Sequence, residues 1–388
     1  MKKADLKQMA FYPWLTIEKP LSVGKYELTP FVRGQEPFGK ETEEQKIVDR
    51  ILRSYVHAPD GPISEATILK IDGNAFNVQL AKEEKEDLFR FNELLAFSAM
   101  SQRTYFDSSG YINRDSFILC LQGFEHGRIG TSVMTRRKDW NTTTFLVDGG
   151  RFSLPLHVPS NYKPRFDLEL LIALLSVFED ERGCKTPWSN YYNCIYSYNL
   201  SNTDNDQISD NLEMVLMVGA LEMLLGIQNG SEKSLLKVFM SVFKPDRYLN
   251  VFSCPRLPSG DSVASEWLSD AFRLRGQFAH GRAFSPYQSK RKKHEHLLLG
   301  AFLLPLLLKQ CLFADGKYSF TDEDRQKMNS FEKMCCEDLF AKSTNPEDRF
   351  DWPMHRILND AKWELLTLKI KNELDGVLQS KSDGSEKS

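Results

Sequence analysis

The stretch Phe272-Arg-Leu-Arg-Gly-Gln-Phe-Ala-His-Gly281 closes a helix that apolar periodicity predicts over residues 263–280. Its Arg275 and His280 are five residues apart, which on an α-helix is about 140° around the axis and about 7.5 Å along it. Both side chains can therefore border one groove. A histidine exchanges a proton near neutral pH, and an arginine presents a flat fork of donors to phosphate. The pair thus suits phosphodiester cleavage without a metal.

An ordinary helix end is the alternative interpretation of the same residues. A charged His280 is favourable at the negative C-terminal end of a helix, and Gly281 suits the left-handed position that follows. Arg275 would then be an exposed helix residue. Spacing alone leaves the catalytic and the structural interpretation open.

Outward from this stretch, apolar residues keep helical spacing from Phe166 almost to the end of the chain. The spacing predicts helices at about 166–180, 188–200, 209–227, 232–243, 263–280, 294–312, 321–341 and 354–378. The run from Leu297 to Leu308 is apolar throughout but contains Pro305. It is shorter than the roughly 20 residues that cross a bilayer, so we expect a buried core helix.

The first 160 residues have a different pattern, with alternating apolar residues around two Asp-Gly turns. Alternation around Asp72-Gly73 predicts a hairpin over residues 66–80, and alternation around Asp148-Gly149 predicts a second over residues 144–156. A helix is predicted over 83–103 and a buried strand over 116–122. The chain is therefore expected to belong to the α+β class.

Four segments follow from this change of pattern. We expect a mixed β/α N-terminal domain over 1–160, a helical domain over 165–315 and a C-terminal helical extension over 316–378. Residues 379–388, QSKSDGSEKS, are polar enough to form a disordered tail.

The helical domain resembles the HEPN superfamily, in particular its ApeA-like branch. Arg275-x4-His280 resembles the R-x4-6-H signature of that superfamily, and Met217-Val-Gly-Ala-Leu-Glu-Met-Leu-Leu225 resembles its "ALE-LL" helix. An aromatic helix over 188–198 precedes these motifs, and the apolar helix 297–312 fits the final core helix of the bundle. Gly276 departs from the family pattern, in which Asn, Asp or His commonly follows the arginine.

The resemblance implies an RNA-cleaving site built from two such motifs across a homodimer, often in anti-phage defence or toxin systems. Arg275 and His280 are the implied catalytic residues, and Gln277 is a candidate substitute for the side chain that Gly276 lacks. Glu222 lies in an apolar helix, where it either pairs with an arginine of the motif helix or faces solvent. The candidate RNA-binding residues are Arg273, Arg282, Lys290, Arg291, Lys292 and Lys293.

Several classes of protein are disfavoured. His294-x-His296 has no third ligand at suggestive spacing, so no metal is expected, and no glycine-rich phosphate loop implies a nucleotide cofactor. Seven scattered cysteines without a CxxC pair are typical of reduced thiols. With no apolar segment behind the first lysines, we expect a cytoplasmic protein that does not bind membranes.

The leading hypothesis is a metal-independent RNA endonuclease acting as a homodimer on tRNA or another cellular or phage RNA. The first alternative is a non-catalytic HEPN module that binds RNA or a protein. The second is a structural dimerisation protein in which Arg275 and His280 only cap and pair. In each case the N-terminal domain would be a sensor or regulator.

Overall fold

A computed structural model of the chain describes residues 7–34, 43–57, 61–78, 80–105, 111–124, 131–136, 142–147, 151–155, 158, 163–227, 230–244, 262–280, 287–339 and 352–385. The α+β class is confirmed, because strands fill the first part of the chain and helices the rest. The chain forms two compact units. The first unit comprises residues 1–176 and 202–207, and the second unit comprises residues 177–201 and 208–388.

The first unit contains eleven strands, two complete α-helices and the first nine residues of a third among the residues described. The strands are β1 Lys7–Tyr12, β2 Leu21–Val23, β3 Tyr26–Val32, β4 Tyr55–His57, β5 Gly61–Pro62, β6 Glu65–Ile71, β7 Phe76–Val78, β8 Cys120–Phe124, β9 Thr131–Arg136, β10 Thr142–Val147 and β11 Phe152–Ser153. The helices are α1 Glu43–Leu52 and α2 Lys82–Met100, with a 3₁₀ turn at Arg114–Phe117.

The strand β1 organises the main sheet and shows that the first predicted hairpin is wrong. β6 and β7 both pair with β1, end to end, so that Ala10 lies opposite Leu69 and Met9 opposite Phe76. The Asp72-Gly73 turn is present, but between β6 and β7 only a single bridge joins Ile71 to Asn74. Both strands therefore pair with β1, which is distant in sequence, and local alternation of apolar residues cannot reveal such a partner.

The second predicted hairpin is also wrong. β10 pairs with β9, and β11 pairs with β4 in parallel. The intervening residues 148–150 lie outside the described residues. The predicted strand 116–122 is displaced to β8, which pairs with β1.

One hydrophobic cluster of the first unit lies between the main sheet and α1. Met9 and Phe11 of β1 are fully buried and cluster with Val48 and Ile51 of α1 and with Phe31 of β3. Strands that bury one face against a helix gain most of their stability from such apolar contacts. The sequence pattern did not predict α1.

The predicted helices are all present, with ends within a few residues of those expected. They are α3 Leu168–Glu179, α4 Trp188–Leu200, α5 Asp210–Leu224, α6 Glu232–Val242, α7 Val263–His280, α8 Lys293–Ala314, α9 Asp322–Cys336 and α10 Pro353–Ser385. The helix α10 extends seven residues into the segment expected to be a disordered tail. It contains no proline after its first residue, so nothing interrupts its backbone bonds. Residues 386–388 lie outside the described residues.

The helix α8 is the centre of the second unit. Its residues from Leu299 to Lys309 are buried, and α5 and α9 both pack against it. It is long and apolar enough to cross a membrane, but most of it is buried inside the fold. The expected core helix over 297–308 is therefore confirmed. A Cβ atom on Gly300 would lie 2.6 Å from Cγ of Met217, so glycine permits the close approach of α5.

Pro305 lies inside α8 without ending it. Proline has no N–H, so the carbonyl of Ala301, four residues earlier, loses its usual helical donor. The hydroxyl of Tyr198 on α4 donates to this carbonyl oxygen at 3.0 Å, and the bond is buried. The tyrosine thus satisfies the acceptor that the proline leaves open and ties α4 to α8.

Replacing Tyr198 with phenylalanine should destabilise the protein by about 1–3 kcal/mol, because it leaves a buried carbonyl unsatisfied. In a Pro305→Ala background the new N–H supplies a donor, and the same change should cost less than about 1 kcal/mol. Urea unfolding of the four proteins measures this coupling. Equal losses in the two backgrounds would show that the hydroxyl does not compensate for the proline.

The substitution Gly300→Ala should destabilise the protein by about 1 kcal/mol. Its better helix propensity is worth about 1 kcal/mol, but crowding Met217 costs about 1–3 kcal/mol. Gly276→Ala on α7 is the matched control, since among the described residues no atom outside the helix's own backbone lies within 4 Å of a Cβ there. The control should stabilise by up to about 1 kcal/mol. Thermal unfolding separates the two cases, and stabilisation by both substitutions would refute the close approach.

Candidate functional site

An ion pair between α5 and α7 holds the arginine of the motif. Nη2 of Arg275 donates to Oε2 of Glu222, and the two helices pack against each other. Only 19% of the Arg275 side chain and 10% of the Glu222 side chain are exposed. The expected pairing of Glu222 with an arginine of the motif helix is therefore confirmed. The guanidinium also lies over the ring of Phe272, 5.5 Å from its centroid.

The electrostatics of this pair are dominated by burial. Burial raises the pKa of the Glu222 carboxyl, and the neighbouring Arg275 offsets only part of that rise. Oε1 of Glu222 and Nε of Arg275 are buried without a hydrogen-bond partner among the described residues. Without Arg275, a negative charge on Glu222 would therefore be costly.

The remaining motif residues follow Arg275 along α7. At Gly276 no atom of the described residues outside the helix's own backbone lies within 4 Å of where a Cβ would be. Gln277 is half-buried. His280 is the last residue of α7, and its side chain lies outside the described residues, as does all of Arg282. The helix places Arg275 and His280 about 7.5 Å apart along one axis, as the spacing predicts.

The basic residues of the candidate RNA-binding set are largely compensated by their neighbours. Arg273 donates two hydrogen bonds to Glu232, at 3.0 and 2.8 Å. Lys290 pairs with Glu266, and Nη1 of Arg291 donates to the carbonyl of Glu337 at 2.9 Å. Such pairing lowers the net positive potential that the run of cations suggests.

The last two members of the set begin α8. Nζ of Lys293 donates to Oδ1 of Asn211 at 3.0 Å and lies 5.7 Å from the ring centroid of Phe278. Lys292 is the exposed N-cap residue, and its backbone N–H donates to Glu295 at 2.9 Å. Lys292 is therefore an exposed cation at this end of α8.

A second polar cluster lies nearer the start of α7 and was missed by sequence reasoning. Asp270, 4% exposed, accepts hydrogen bonds from the hydroxyls of Tyr287 at 2.6 Å and Ser289 at 2.9 Å. Nε2 of the fully buried His296 lies 3.2 Å from its Oδ2 atom, and the backbone N–H of Lys290 also donates to it. The donors come from the segment before α8, which has no motif. The only signal available was an aspartate on an apolar helix.

The geometry of this cluster differs from that of a hydrolytic triad. Ser289 Oγ lies 2.9 Å from Nε2 of His296, the same nitrogen that faces Asp270. Nδ1 of His296 is buried without a partner among the described residues. A triad needs the serine and the carboxylate on opposite nitrogens of the imidazole. The cluster therefore joins α7, α8 and the segment before α8 without activating Ser289.

Two clefts, of about 520 and 430 Å³, flank this cluster. Both are bordered by Glu266, Asp270 and Lys290. The larger reaches Arg273, and the smaller reaches the start of α8 and the end of α9. Acidic side chains lie on the same walls, and four of the six candidate RNA-binding residues thus border these clefts, namely Arg273, Lys290, Arg291 and Lys292.

No group of three or more metal-ligating side chains occurs among the described residues, including those near His294 and His296. Comparisons with known proteins leave the family open. No protein-family model, no curated protein and no solved structure matches the chain.

Protonation of Asp270 should destabilise the fold in acid. Burial would raise the pKa of Asp270, but hydrogen bonds from His296, Tyr287 and Ser289 lower it to about 2. Because the unfolded value is about 3.9, this stabilisation is complete above about pH 5 and is lost as the pH falls toward 2. Urea unfolding should show wild type losing about 2.5 kcal/mol more over this range than Asp270→Asn. Equal pH profiles for the two proteins would contradict the assignment.

Proposed function

We propose that the chain is a metal-independent RNA endonuclease of the HEPN type, with Arg275 and His280 as its catalytic residues. The observation that carries the proposal is the Glu222–Arg275 ion pair, which orients a guanidinium on the helix that ends at His280. The helix order adds support. The aromatic helix α4, the "ALE-LL" helix α5, the motif helix α7 and the apolar helix α8 belong to one compact unit.

The chemistry assigns a separate role to each residue. His280 removes the proton of a ribose 2′-hydroxyl or gives one to the leaving 5′-oxygen. Arg275 stabilises the charge that develops on the phosphate as the 2′-oxygen bonds to phosphorus and the 5′-oxygen departs. The products are a 2′,3′-cyclic phosphate and a 5′-hydroxyl. Glu222 is a positioning residue, because it acts through Arg275.

The wider setting rests on the resemblance. It includes a homodimer that brings two motifs to one site and a role in anti-phage defence or a toxin-like system, whereas the proposed cytoplasmic location rests on the cysteine pattern. The substrate would be tRNA or another cellular or phage RNA. The first unit would sense the activating signal.

A second candidate function is a non-catalytic HEPN module that binds RNA or a protein. Two observations favour it. Glu222 occupies donors on Arg275 that a phosphate would need, and Gly276 supplies no side chain beside the arginine. The two candidate functions use the same fold, and only the first includes catalytic cleavage of RNA.

Cleavage of end-labelled tRNA in excess EDTA tests the proposal. Wild type should leave 2′,3′-cyclic phosphate ends, and His280→Ala should reduce the rate at least about 100-fold, the usual contribution of a general acid–base group. Arg275→Lys keeps a charge for Glu222 but loses the planar fork, and should also reduce cleavage. Gly276→Asn supplies a side chain that the family pattern has at this position and should raise the rate.

The folded state of each variant is checked by thermal unfolding. Cleavage by wild type that persists in His280→Ala would rule out this site. If no variant cleaves, including Gly276→Asn, but wild type retains RNA in a filter assay, the binding module replaces the nuclease. In that case the binding should weaken when the four cations from Lys290 to Lys293 are neutralised.

A further inference from the structure

The helix α10 carries two apolar stripes. One stripe faces its own unit, where Ala361 is buried and Leu365 and Leu368 are half-buried, and α10 packs against α9. This is the stripe expected for an amphipathic helix at the edge of a bundle. It accounts for the attachment of α10 to the rest of the unit.

The second stripe is exposed. Trp363, Leu366, Ile370 and Leu374 are 67%, 46%, 49% and 58% exposed. Their spacings of three, four and four residues place them within an arc of about 80°, because each residue advances about 100° around a helix. The arc lies on the side of α10 opposite to the stripe that packs on α9. Four large apolar side chains in one line form a contiguous patch of the kind that marks a protein interface.

The end of α10 needs a partner for its stability. Over residues 369–374, every side chain that the structure describes is exposed. Isolated helices are only marginally stable in water and depend on packing of an apolar face. The eleven-residue period of the stripe is close to the natural turn of a helix, so it runs nearly straight along α10. A second helix could lie along it over about 16 Å.

The charges beside this stripe are complementary to those of a second copy whose α10 runs in the opposite direction. An antiparallel pair with its two-fold axis near residue 368 places Leu366 opposite Ile370 and Trp363 opposite Leu374. The same axis places Lys362 opposite Glu373 on one flank. Both charged side chains are exposed, and neither forms an ion pair with another described residue. A single two-fold axis therefore places both the apolar residues and the opposite charges in contact.

A parallel pair does not satisfy these residues. Equal residue numbers then lie at the same level, so Lys362 and Glu373 of opposite chains would be about 16 Å apart. The charges on the other flank of the stripe contribute less to a parallel or an antiparallel pair, because Glu364 already contacts Lys333 of α9 at 3.5 Å. The charges on the Lys362 flank therefore set the direction of the pair.

We infer that two copies of the chain associate through antiparallel contact of their α10 helices, with Trp363, Leu366, Ile370 and Leu374 as the apolar centre. The contact forms twice across the two-fold axis, as expected for a self-complementary surface. It depends on α10 alone and not on the proposed nuclease.

Sedimentation velocity of the full chain over a range of micromolar concentrations tests the inference. Wild type should dimerise reversibly, and Ile370→Glu should weaken the dimer at least about tenfold, because it buries charge in the apolar centre. Ile172→Glu on α3 is the matched control. Ile172 is 56% exposed and lies outside the stripe, so this variant should keep the wild-type dissociation constant.

A charge exchange tests the direction of the pair. Lys362→Glu alone and Glu373→Lys alone each place like charges together at two sites, and each should weaken the dimer about tenfold. The double variant restores opposite charges and should recover the wild-type dissociation constant. All of these residues are exposed, so thermal unfolding at low concentration should be unchanged.

Three results would overturn the inference. A wild-type monomer at all concentrations would assign the stripe to a different protein. An unchanged dissociation constant in Ile370→Glu would place the dimer contact elsewhere, and a double variant as weak as the single variants would exclude the antiparallel register. RNA cleavage is measured separately, so its absence bears only on the proposed nuclease.

Discussion

The second unit depends on the burial of α8, and that burial requires the neutralisation of one lysine. Lys309 is 2% exposed, and its Nζ donates to Oδ1 of Asp324 at 2.7 Å. Asp324 also accepts from the hydroxyls of Tyr318 and Thr321, at 2.9 and 2.7 Å. Burial would raise the pKa of Asp324, but the charge and donors around it lower it. An unpaired charge here would cost about 3–5 kcal/mol, so the pair permits the largely apolar helix to lie at the centre.

Asp324 has a second role that links this pair to the start of α9. Thr321 is the N-cap of α9, and its hydroxyl accepts from the backbone N–H of Asp324 while the Asp324 carboxylate accepts from the backbone N–H of Thr321. One carboxylate thus neutralises Lys309 and caps the next helix. Tyr198 has a comparable role at Pro305, because its hydroxyl donates to the carbonyl of Ala301, which lacks its usual helical donor. In both places a polar atom in the core is paired by a neighbouring element.

The helices other than α1 could be predicted from the sequence because their signals are local. Ser209 and Ser231 cap α5 and α6 with their own side chains, and apolar spacing defines the buried faces between the ends. The strands could not be paired in this way. β1 pairs with β6, β7 and β8, which are distant in sequence. The paired residues Tyr12 and Thr67 are 55 positions apart, and the paired residues Lys7 and Phe124 are 117 positions apart. Turn residues at Asp72-Gly73 predict a turn but not the strands that flank it in the sheet.

The residues of the candidate site also differ in whether a local sequence signal predicts them. Arg275 and His280 share a helix, so their spacing was readable, and Glu222 was suspect because a carboxylate on an apolar helix needs a partner. The Glu222–Arg275 pair also sets a condition on function. A phosphate that takes Arg275 from Glu222 leaves a buried carboxylate whose pKa is already raised, and a second negative charge nearby raises it further. Uptake of a proton by Glu222 would remove that cost. Under the proposed function, phosphate binding at Arg275 would therefore be coupled to protonation of Glu222, which would release the arginine from its ion pair.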